Sequence, residues 1–174
     1  MLKIKTFADY QNEYKQSVEN PEAFWEEKAS HFTWRKKWDK VLNWNFKDYD
    51  VEWFVNGKLN ITENCIDRHL PTKGNDTAFV WESNFEDKPN RVITYQQLHD
   101  EVCRLANVLK SFGVKKGDRV CIYLPMIPEA VFSMLACARI GAVHSVVFAG
   151  VSAASLSSRI QDSDCKVVLT SDGS

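Results

Sequence analysis

The segment Phe148-Ala149-Gly150-Val151-Ser152 combines residue types and a position that suit ligand binding. It follows an apolar run that predicts a buried strand, and it ends in a serine that can begin a helix. In open α/β sheets, ligands bind beyond the carboxyl ends of the strands, at helix N-termini. Small residues at this turn would let a ligand approach the backbone. A ligand contact is therefore one interpretation of the turn, and an ordinary tight connection is the other.

Other patterns that carry chemistry are missing from the sequence. The closest pair of glycines, Gly113 and Gly117, is four residues apart, so neither GxGxxG nor GxxxxGK[ST] occurs. Neither GxSxG nor HExxH is found. Four histidines lack the spacing of metal ligands: His31, His69, His99 and His144. We therefore predict no catalytic residue and no metal site here, with His99 on an exposed helix face and His144 within a buried strand.

The chain has five cysteines: Cys65, Cys103, Cys121, Cys137 and Cys165. They form no CxxC pair, and four of the five lie in apolar segments. This pattern favours buried, reduced thiols over a disulfide framework or a zinc site. The first six residues also lack the long apolar core of a secretory signal. We therefore expect a cytoplasmic protein.

The charge balance argues against nucleic acid and membrane partners. Lys and Arg number 22 and Asp and Glu 23, for a net charge of −1, so binding driven by a nucleic-acid backbone is not expected. Residues 130–151 are apolar, but Arg139 and His144 lie near the middle. A charged group at a bilayer centre costs about 3 kcal/mol. We read this stretch as a helix, a turn and a strand.

The second half of the chain carries regular periodicity. Apolar spacing and capping residues predict helices over 94–112, 128–140 and 152–160. Continuous apolar runs predict strands over 120–124, 143–148 and 166–170. The order βαβαβ with such strands implies an α/β fold with a parallel sheet covered on both faces. A parallel sheet of only three strands has unpaired edges, so we expect this sheet to be incomplete and truncated at Ser174. The chain is then expected to be a piece of a longer protein. Its exposed apolar surface and strand edges would allow it to self-associate.

The first half has a different composition. Residues 1–90 carry a net charge of −3 and all six tryptophans, whereas residues 91–174 carry +2. The pattern predicts helices over 7–19 and 21–32, a hairpin turn at Asn56-Gly57, a short helix over 62–70 and a strand over 77–81. Residues 1–90 are thus expected to form an aromatic-rich, mostly helical and irregular extension that packs on a main body begun by residues 91–174.

Two sets of motifs, in order, resemble acetyl-coenzyme A synthetases. Residues 32–34, 38–42, 53–54, 57–60 and Asn64-Cys65-Ile66-Asp67-Arg68-His69-Leu70 resemble their amino-terminal extension. Residues 114–120, Tyr123-Leu124-Pro125-Met126 and 136–146 resemble the first part of their large adenylate-forming domain. The second set is shared among acyl-CoA synthetases, whereas the tryptophan-rich first set indicates the acetate branch.

The resemblance implies a two-step ligase that converts acetate and Mg-ATP to acetyl-adenylate and then to acetyl-CoA. In this family the phosphate loop, the acyl pocket, the AMP and magnesium residues and the catalytic lysine come later in the chain. The matching turn lies beside the coenzyme A tunnel, so Phe148, Ala149 and Gly150 are the expected coenzyme A contacts. Family members often have Gly at position 149 and Phe at 151, where this chain has Ala149 and Val151. A propionate or acetoacetate enzyme, or a free-standing α/β interaction module without catalysis, are the alternatives.

Overall fold

The computed structural model describes residues 4–172, which form two compact units. The first unit ends at Leu59 and the second begins at Asn60. This boundary precedes the change in composition near residue 90. The two differ because the aromatic-rich composition continues to Trp81, whereas the backbone from residue 60 onward packs with the second unit. Ser174, where the truncation was predicted, and the first three of the six residues that lack the apolar core of a secretory signal lie outside the described range.

The first unit contains two helices and two strands: α1 (Phe7–Glu19), α2 (Pro21–Ala29), β1 (Lys40–Asn45) and β2 (Asp50–Val55). Helix α1 begins as predicted, at a capping box in which Thr6 Oγ1 accepts from the Asp9 amide and the Asp9 carboxylate accepts from the Thr6 amide. Asn20 precedes α2 but makes no capping bond with its side chain. Helix α2 ends three residues before the prediction, because the amides of residues 31 and 32 bond three residues back, as in a turn.

The strands β1 and β2 form an antiparallel hairpin whose turn lies at residues 46–49, so the prediction of a hairpin turn at Asn56-Gly57 is wrong. Asn56 does take the left-handed conformation that favoured the prediction (φ 58°). It lies beyond β2, where the Gly57 amide donates to the Phe54 carbonyl at 2.8 Å and the chain turns to pair Lys58 with Lys36. Asn56-Gly57 therefore does form a turn, but this turn follows the hairpin and does not connect its two strands.

A small aromatic core holds the first unit together. Trp38 and Val41 are buried with Ala29, and Trp34 and Phe54 pack against them. The rings of Trp34 and Trp38 meet edge to face with centroids 4.8 Å apart, and the Trp34 indole N–H donates to the Ala29 carbonyl at 2.9 Å. Other aromatic side chains of this unit are exposed: Phe7, Tyr10, Tyr14, Phe46 and Tyr49.

The second unit holds the remaining elements: α3 (Ile61–Cys65), a 3-10 turn (Asp67–His69), α4 (Leu70–Lys73), β3 (Thr77–Trp81), β4 (Arg91–Thr94), α5 (Tyr95–Ser111), β5 (Arg119–Tyr123), α6 (Pro128–Ile140), β6 (Val143–Val146), α7 (Ala153–Ser163) and β7 (Val167–Thr170). The single helix predicted over 62–70 is wrong: three short pieces replace it, because Ile66 leaves the helical conformation, and Asn60 rather than Thr62 is the cap. Strand β4 was not predicted. It pairs with β3 and is too short to show alternation.

The predicted α/β fold with a parallel sheet is confirmed. Strand β5 lies in the centre, with β6 and β7 paired to it in parallel on either side. The Thr94 capping box begins α5, Gly141 ends α6 in the left-handed conformation (φ 75°), and Ser152 caps α7. The core lies among β5, α5 and α6 and includes Val102, Ala106, Leu109, Val120, Phe132 and Ala136.

The outer strands of this sheet are not covered as predicted. His144, expected in a buried strand, is exposed, and Val143 and Val146 are each more than half exposed. The reason is position: β6 lies at an edge of the sheet, and only the central strand β5 is enclosed on both sides. The apolar stretch 130–151 forms a helix, a turn and this strand, as expected. Within residues 4–172, no helix has both the length and the apolar character needed to cross a bilayer.

Candidate functional site

The candidate turn begins where β6 ends, at the carboxyl edge of the parallel sheet. Val147 is buried and its amide donates to the Ile122 carbonyl of β5 at 2.9 Å. This bond ties the residue just before Phe148 to the central strand. Strand β6 ends two residues earlier than predicted, because Phe148 leaves the sheet and enters solvent. The sheet therefore holds the base of the turn and leaves its tip open.

The three predicted contact residues differ in what they present. The Phe148 side chain is 78% exposed, Ala149 is half-buried, and Gly150 is exposed. Gly150 has a φ of 105°, a conformation that side-chain-bearing residues rarely adopt, and a Cβ built there would meet no atom within 4 Å. Its amide donates to the Tyr123 hydroxyl at 3.4 Å. The turn thus offers an aromatic ring and an unobstructed length of backbone.

Helix α7 follows the turn and begins at Ser152. The Ser152 Oγ accepts from the Ser155 amide at 3.2 Å, as an N-cap requires. The amino end of an α-helix carries partial positive charge, and the first turn of α7 contains no acidic residue to offset it. A ligand with an apolar or aromatic part and an anionic part would therefore suit this junction of strand and helix.

Side chains of the types that bind metal ions are scattered over the described residues. Within residues 4–172, no group of three or more His, Cys, Asp or Glu side chains is arranged to hold a metal ion. The histidines lie apart: His31 beside Glu27, His69 against the Tyr95 ring, His99 beside Asp100, and His144 on β6.

A polar cluster that the sequence reading missed lies where α5, α6 and the 3-10 turn meet. His99 was expected on an exposed surface, but 29% of its side chain is exposed and it contacts Asp100, Cys103 and Asp67. Arg139 of α6 binds Asp67 through two hydrogen bonds. The spacing of His99 and Cys103, four residues apart on a helix, was the signal that could have indicated this contact.

The cysteines divide by burial. All five are free thiols; Cys121 and Cys137 are buried, Cys103 and Cys165 are half-buried, and Cys65 is exposed. Burial raises the pKa of the Cys137 thiol to about 11. The prediction of buried thiols therefore holds for two positions, and it is wrong for Cys65, which lies on the surface of a short helix rather than in the core.

An apolar cleft of about 650 Å³ is also present in the second unit. Its walls come from β3 and the segment after it, and from the start of α6 and the segment before it, and they include Phe79, Trp81, Met126 and Val131. The Trp81 indole N–H donates to the Met126 carbonyl at 2.7 Å and fixes one wall. No candidate residue from the sequence reading lines this cleft.

Comparison with known proteins agrees with this fold. Residues 66–174 match the family described as AMP-binding enzyme, and residues 10–65 match the family described as acetyl-coenzyme A synthetase N-terminus. Acetyl-coenzyme A synthetase of Saccharophagus degradans is 58% identical over 94% of this chain and 25% of its own length. The enzyme of Bdellovibrio bacteriovorus is 55% identical over 95% of this chain and 26% of its own.

A third relative, acetyl-coenzyme A synthetase 2 of Pseudomonas aeruginosa, is 58% identical over 94% of this chain and 25% of its own length. The chain therefore spans about a quarter of the length of the curated relatives it matches. The resemblance inferred from the sequence motifs is confirmed. Because the AMP-binding match runs from residue 66 to residue 174, more than half of the sequence, this chain belongs to the family of AMP-binding enzymes.

Proposed function

We propose that this chain is the amino-terminal part of an acetate–CoA ligase, which makes acetyl-CoA from acetate, ATP and coenzyme A through acetyl-adenylate. The observation that carries the proposal is the order of two matches: an acetyl-coenzyme A synthetase N-terminus over 10–65, followed by an AMP-binding enzyme over 66–174. The second match alone would also suit a propionate or acetoacetate enzyme. The first match and the names of the relatives favour acetate.

We propose that Phe148, Ala149 and Gly150 border the coenzyme A site of that ligase. The exposed ring of Phe148 can stack on a flat heterocycle, as aromatic side chains do, and the open backbone at Gly150 permits close approach. The amino end of α7 favours an anionic group such as a phosphate. Val147, tied to β5, holds the turn in place.

ATP and magnesium are proposed as substrate and cofactor of the complete ligase, bound by residues outside the described range. The glycine spacing provides no phosphate loop, and residues 4–172 provide no cluster for a metal ion. We therefore expect this chain to be inactive by itself. A cytoplasmic location is part of the same proposal, because all five thiols are free, as in reducing compartments.

We also propose that the isolated chain self-associates through the edges of its parallel sheet. The outer strands carry exposed apolar side chains at Val143, Val146 and Val168. An open strand edge can pair with another chain. The light-scattering mass should rise with protein concentration, and Val146→Lys should lower it. A mass that stays monomeric over a wide concentration range would contradict this part of the proposal.

A chimera tests the ligase assignment. The 164 residues of the Saccharophagus degradans enzyme that match this chain would be replaced by this chain's own residues. The purified chimera should release AMP and form acetyl-CoA from acetate, ATP and coenzyme A, with propionate as the comparison substrate. The unaltered relative sets the reference rate. A folded chimera without turnover would refute the proposal and favour a free-standing interaction module. Turnover by this chain alone would refute the expectation that it is inactive by itself.

The same chimera tests the coenzyme A contacts. Phe148→Ala should raise the KM for coenzyme A severalfold and leave the KM for ATP unchanged, because the ring is exposed and contributes little to folding. Phe112→Ala is the matched control, since Phe112 is 67% exposed and lies just beyond the end of α5. Equal effects of the two substitutions would remove Phe148 from the site.

A further inference from the structure

The thiol of Cys103 lies beside an imidazole. Cys103 and His99 are four residues apart on α5, and their Sγ and Nε2 atoms are 3.5 Å apart. Cys103 is half-buried, so the residue is held by the fold and part of it remains exposed to solvent. A thiol within hydrogen-bond reach of a base that is itself held by a third group is the arrangement of an activated nucleophile.

A carboxylate on the same helix orients the imidazole of His99. Its Nδ1 is 3.2 Å from Asp100 Oδ1. Its Nε2 is 3.9 Å from Asp67 Oδ1, on the 3-10 turn, which is beyond hydrogen-bond distance. The hydrogen bond with His99 lowers the pKa of Asp100, which keeps that carboxylate charged. With Nδ1–H donating to Asp100, the lone pair of Nε2 faces Cys103. Arg139 of α6 in turn fixes Asp67.

We propose that Cys103 is a covalent modification site, the thiol of this chain that reacts first with soft carbon electrophiles, with His99 as its base. In the reaction, sulfur forms a bond to the electrophilic carbon, the leaving group departs with its electron pair, and the thiol proton passes to Nε2 of His99. The inference goes beyond the ligase function and does not depend on it, because it needs only the contacts among α5, α6 and the 3-10 turn.

The other four thiols lack this arrangement. Cys121 and Cys137 are buried, and burial raises the pKa of both. The residue Cys65 is exposed as a whole, but desolvation of its sulfur raises its pKa as well. Cys165 is half-buried like Cys103, and its Sγ lies 3.0 Å from the Ser163 hydroxyl, a group that is a far weaker base than imidazole. Cys165 is therefore the internal reference.

The experiment measures the alkylation rate of each cysteine in the whole chain. Iodoacetamide would be added at about pH 7.5, where an ordinary thiol is mostly protonated, and labelled peptides would be counted by mass spectrometry. Cys103 should react about tenfold faster than Cys165. His99→Gln should bring the Cys103 rate down to that of Cys165 and leave Cys165 unchanged. His31→Gln, a histidine on the other unit beside Glu27, is the matched control and should change neither rate.

Labelling of buried Cys137 reports whether a variant has unfolded, because that thiol becomes reachable only when the core opens. Equal rates at Cys103 and Cys165 in the unaltered chain would overturn the proposal. So would a His99→Gln variant that stays folded and keeps the fast rate at Cys103. If His99→Gln unfolds, Asp100→Asn keeps the imidazole and removes its orienting carboxylate, and the Cys103 rate should fall; an unchanged rate there would also overturn the proposal.

Discussion

The guanidinium of Arg139 binds the carboxylate of Asp67 through two hydrogen bonds, Nη1 to Oδ2 at 3.0 Å and Nη2 to Oδ1 at 2.5 Å. The two residues are 72 positions apart, and the pair joins the end of α6 to the 3-10 turn. Their side chains are 18% and 32% exposed, so the pair is largely shielded from water. It therefore anchors the segment before β3 to the helical layer of the second unit.

Arg139→Met should destabilise the chain by about 2 kcal/mol. The substitution leaves the Asp67 carboxylate partly buried without its main partner, a change that costs more than loss of a surface pair, although residual exposure moderates the cost. Urea unfolding measures the difference. Arg91→Met is the matched control. Arg91 pairs with Glu129 at 2.9 Å, but the two side chains are 44% and 49% exposed, respectively. We therefore expect Arg91→Met to lower the free energy of unfolding by less than about 1 kcal/mol. Equal losses of unfolding free energy for Arg139→Met and Arg91→Met would contradict the stabilising role of the pair between Arg139 and Asp67.

Asp118 should give the chain a measurable acid dependence. The Lys115 amide, 2.7 Å from Asp118 Oδ2, and then the Lys166 ammonium at 3.1 Å lower the pKa of this carboxyl. A carboxyl whose pKa is lower in the folded state stabilises the fold above its unfolded pKa of about 4, and this stabilisation is lost as the pH falls through the folded pKa.

Asp118→Asn should therefore lower the Tm near neutral pH, and the difference from the unaltered chain should narrow between about pH 5 and pH 2. Lys166→Met is the control; it removes the second partner and keeps the Lys115 amide, so most of the acid dependence should remain. A Tm difference that is constant over this pH range would show that Asp118 does not carry the effect.

Leu109→Ala should cost about 3 kcal/mol, because the side chain is fully buried in the core beneath α5 and its removal leaves a cavity. The neighbouring substitution Val108→Ala is the control. Val108 is 42% exposed on the same helix, and its loss should stay within about 0.5 kcal/mol. Denaturant midpoints measure both. Similar costs at the two positions would mean that α5 presents a different face to the core.

Thr94→Ala should cost about 1 kcal/mol, since the Thr94 hydroxyl accepts from the Gln97 amide at 3.2 Å and begins α5. The measurement is unfolding together with hydrogen exchange at the Gln97 amide, which should exchange faster in the variant. Thr94→Ser keeps the hydroxyl and should recover most of the loss. If Thr94→Ser is as unstable as Thr94→Ala, the methyl group, and not the cap, is responsible.

Elements with strong local signals were predictable from the sequence. The Thr94 capping box, the proline at the start of α6 and the left-handed Gly141 mark helix ends through contacts within a few residues, and the structure confirms them. The turn Phe148-Ala149-Gly150 was likewise located by its place after an apolar run. Each of these features depends on neighbours along the chain.

Features that depend on a partner strand were missed. Asn56-Gly57 lies after the hairpin and not at its turn because β1 and β2 pair with each other on either side of residues 46–49. His144 is exposed because β6 is an edge strand. The four-residue strand β4 exists because β3 lies beside it. In each case the outcome depends on backbone hydrogen bonds with a partner strand, so the pattern of the segment itself could not specify it.

The sequence by itself determined the α/β class, the order of the second-half elements and the family, because periodicity, caps and motifs are local properties of the chain. Only the tertiary structure decided which side chains meet across elements. Asp67 reaches Arg139, and His99 stands between Asp67 and Cys103, because α5, α6 and the 3-10 turn pack together. Packing depends on the shapes of several elements at once, and no single segment carries that information.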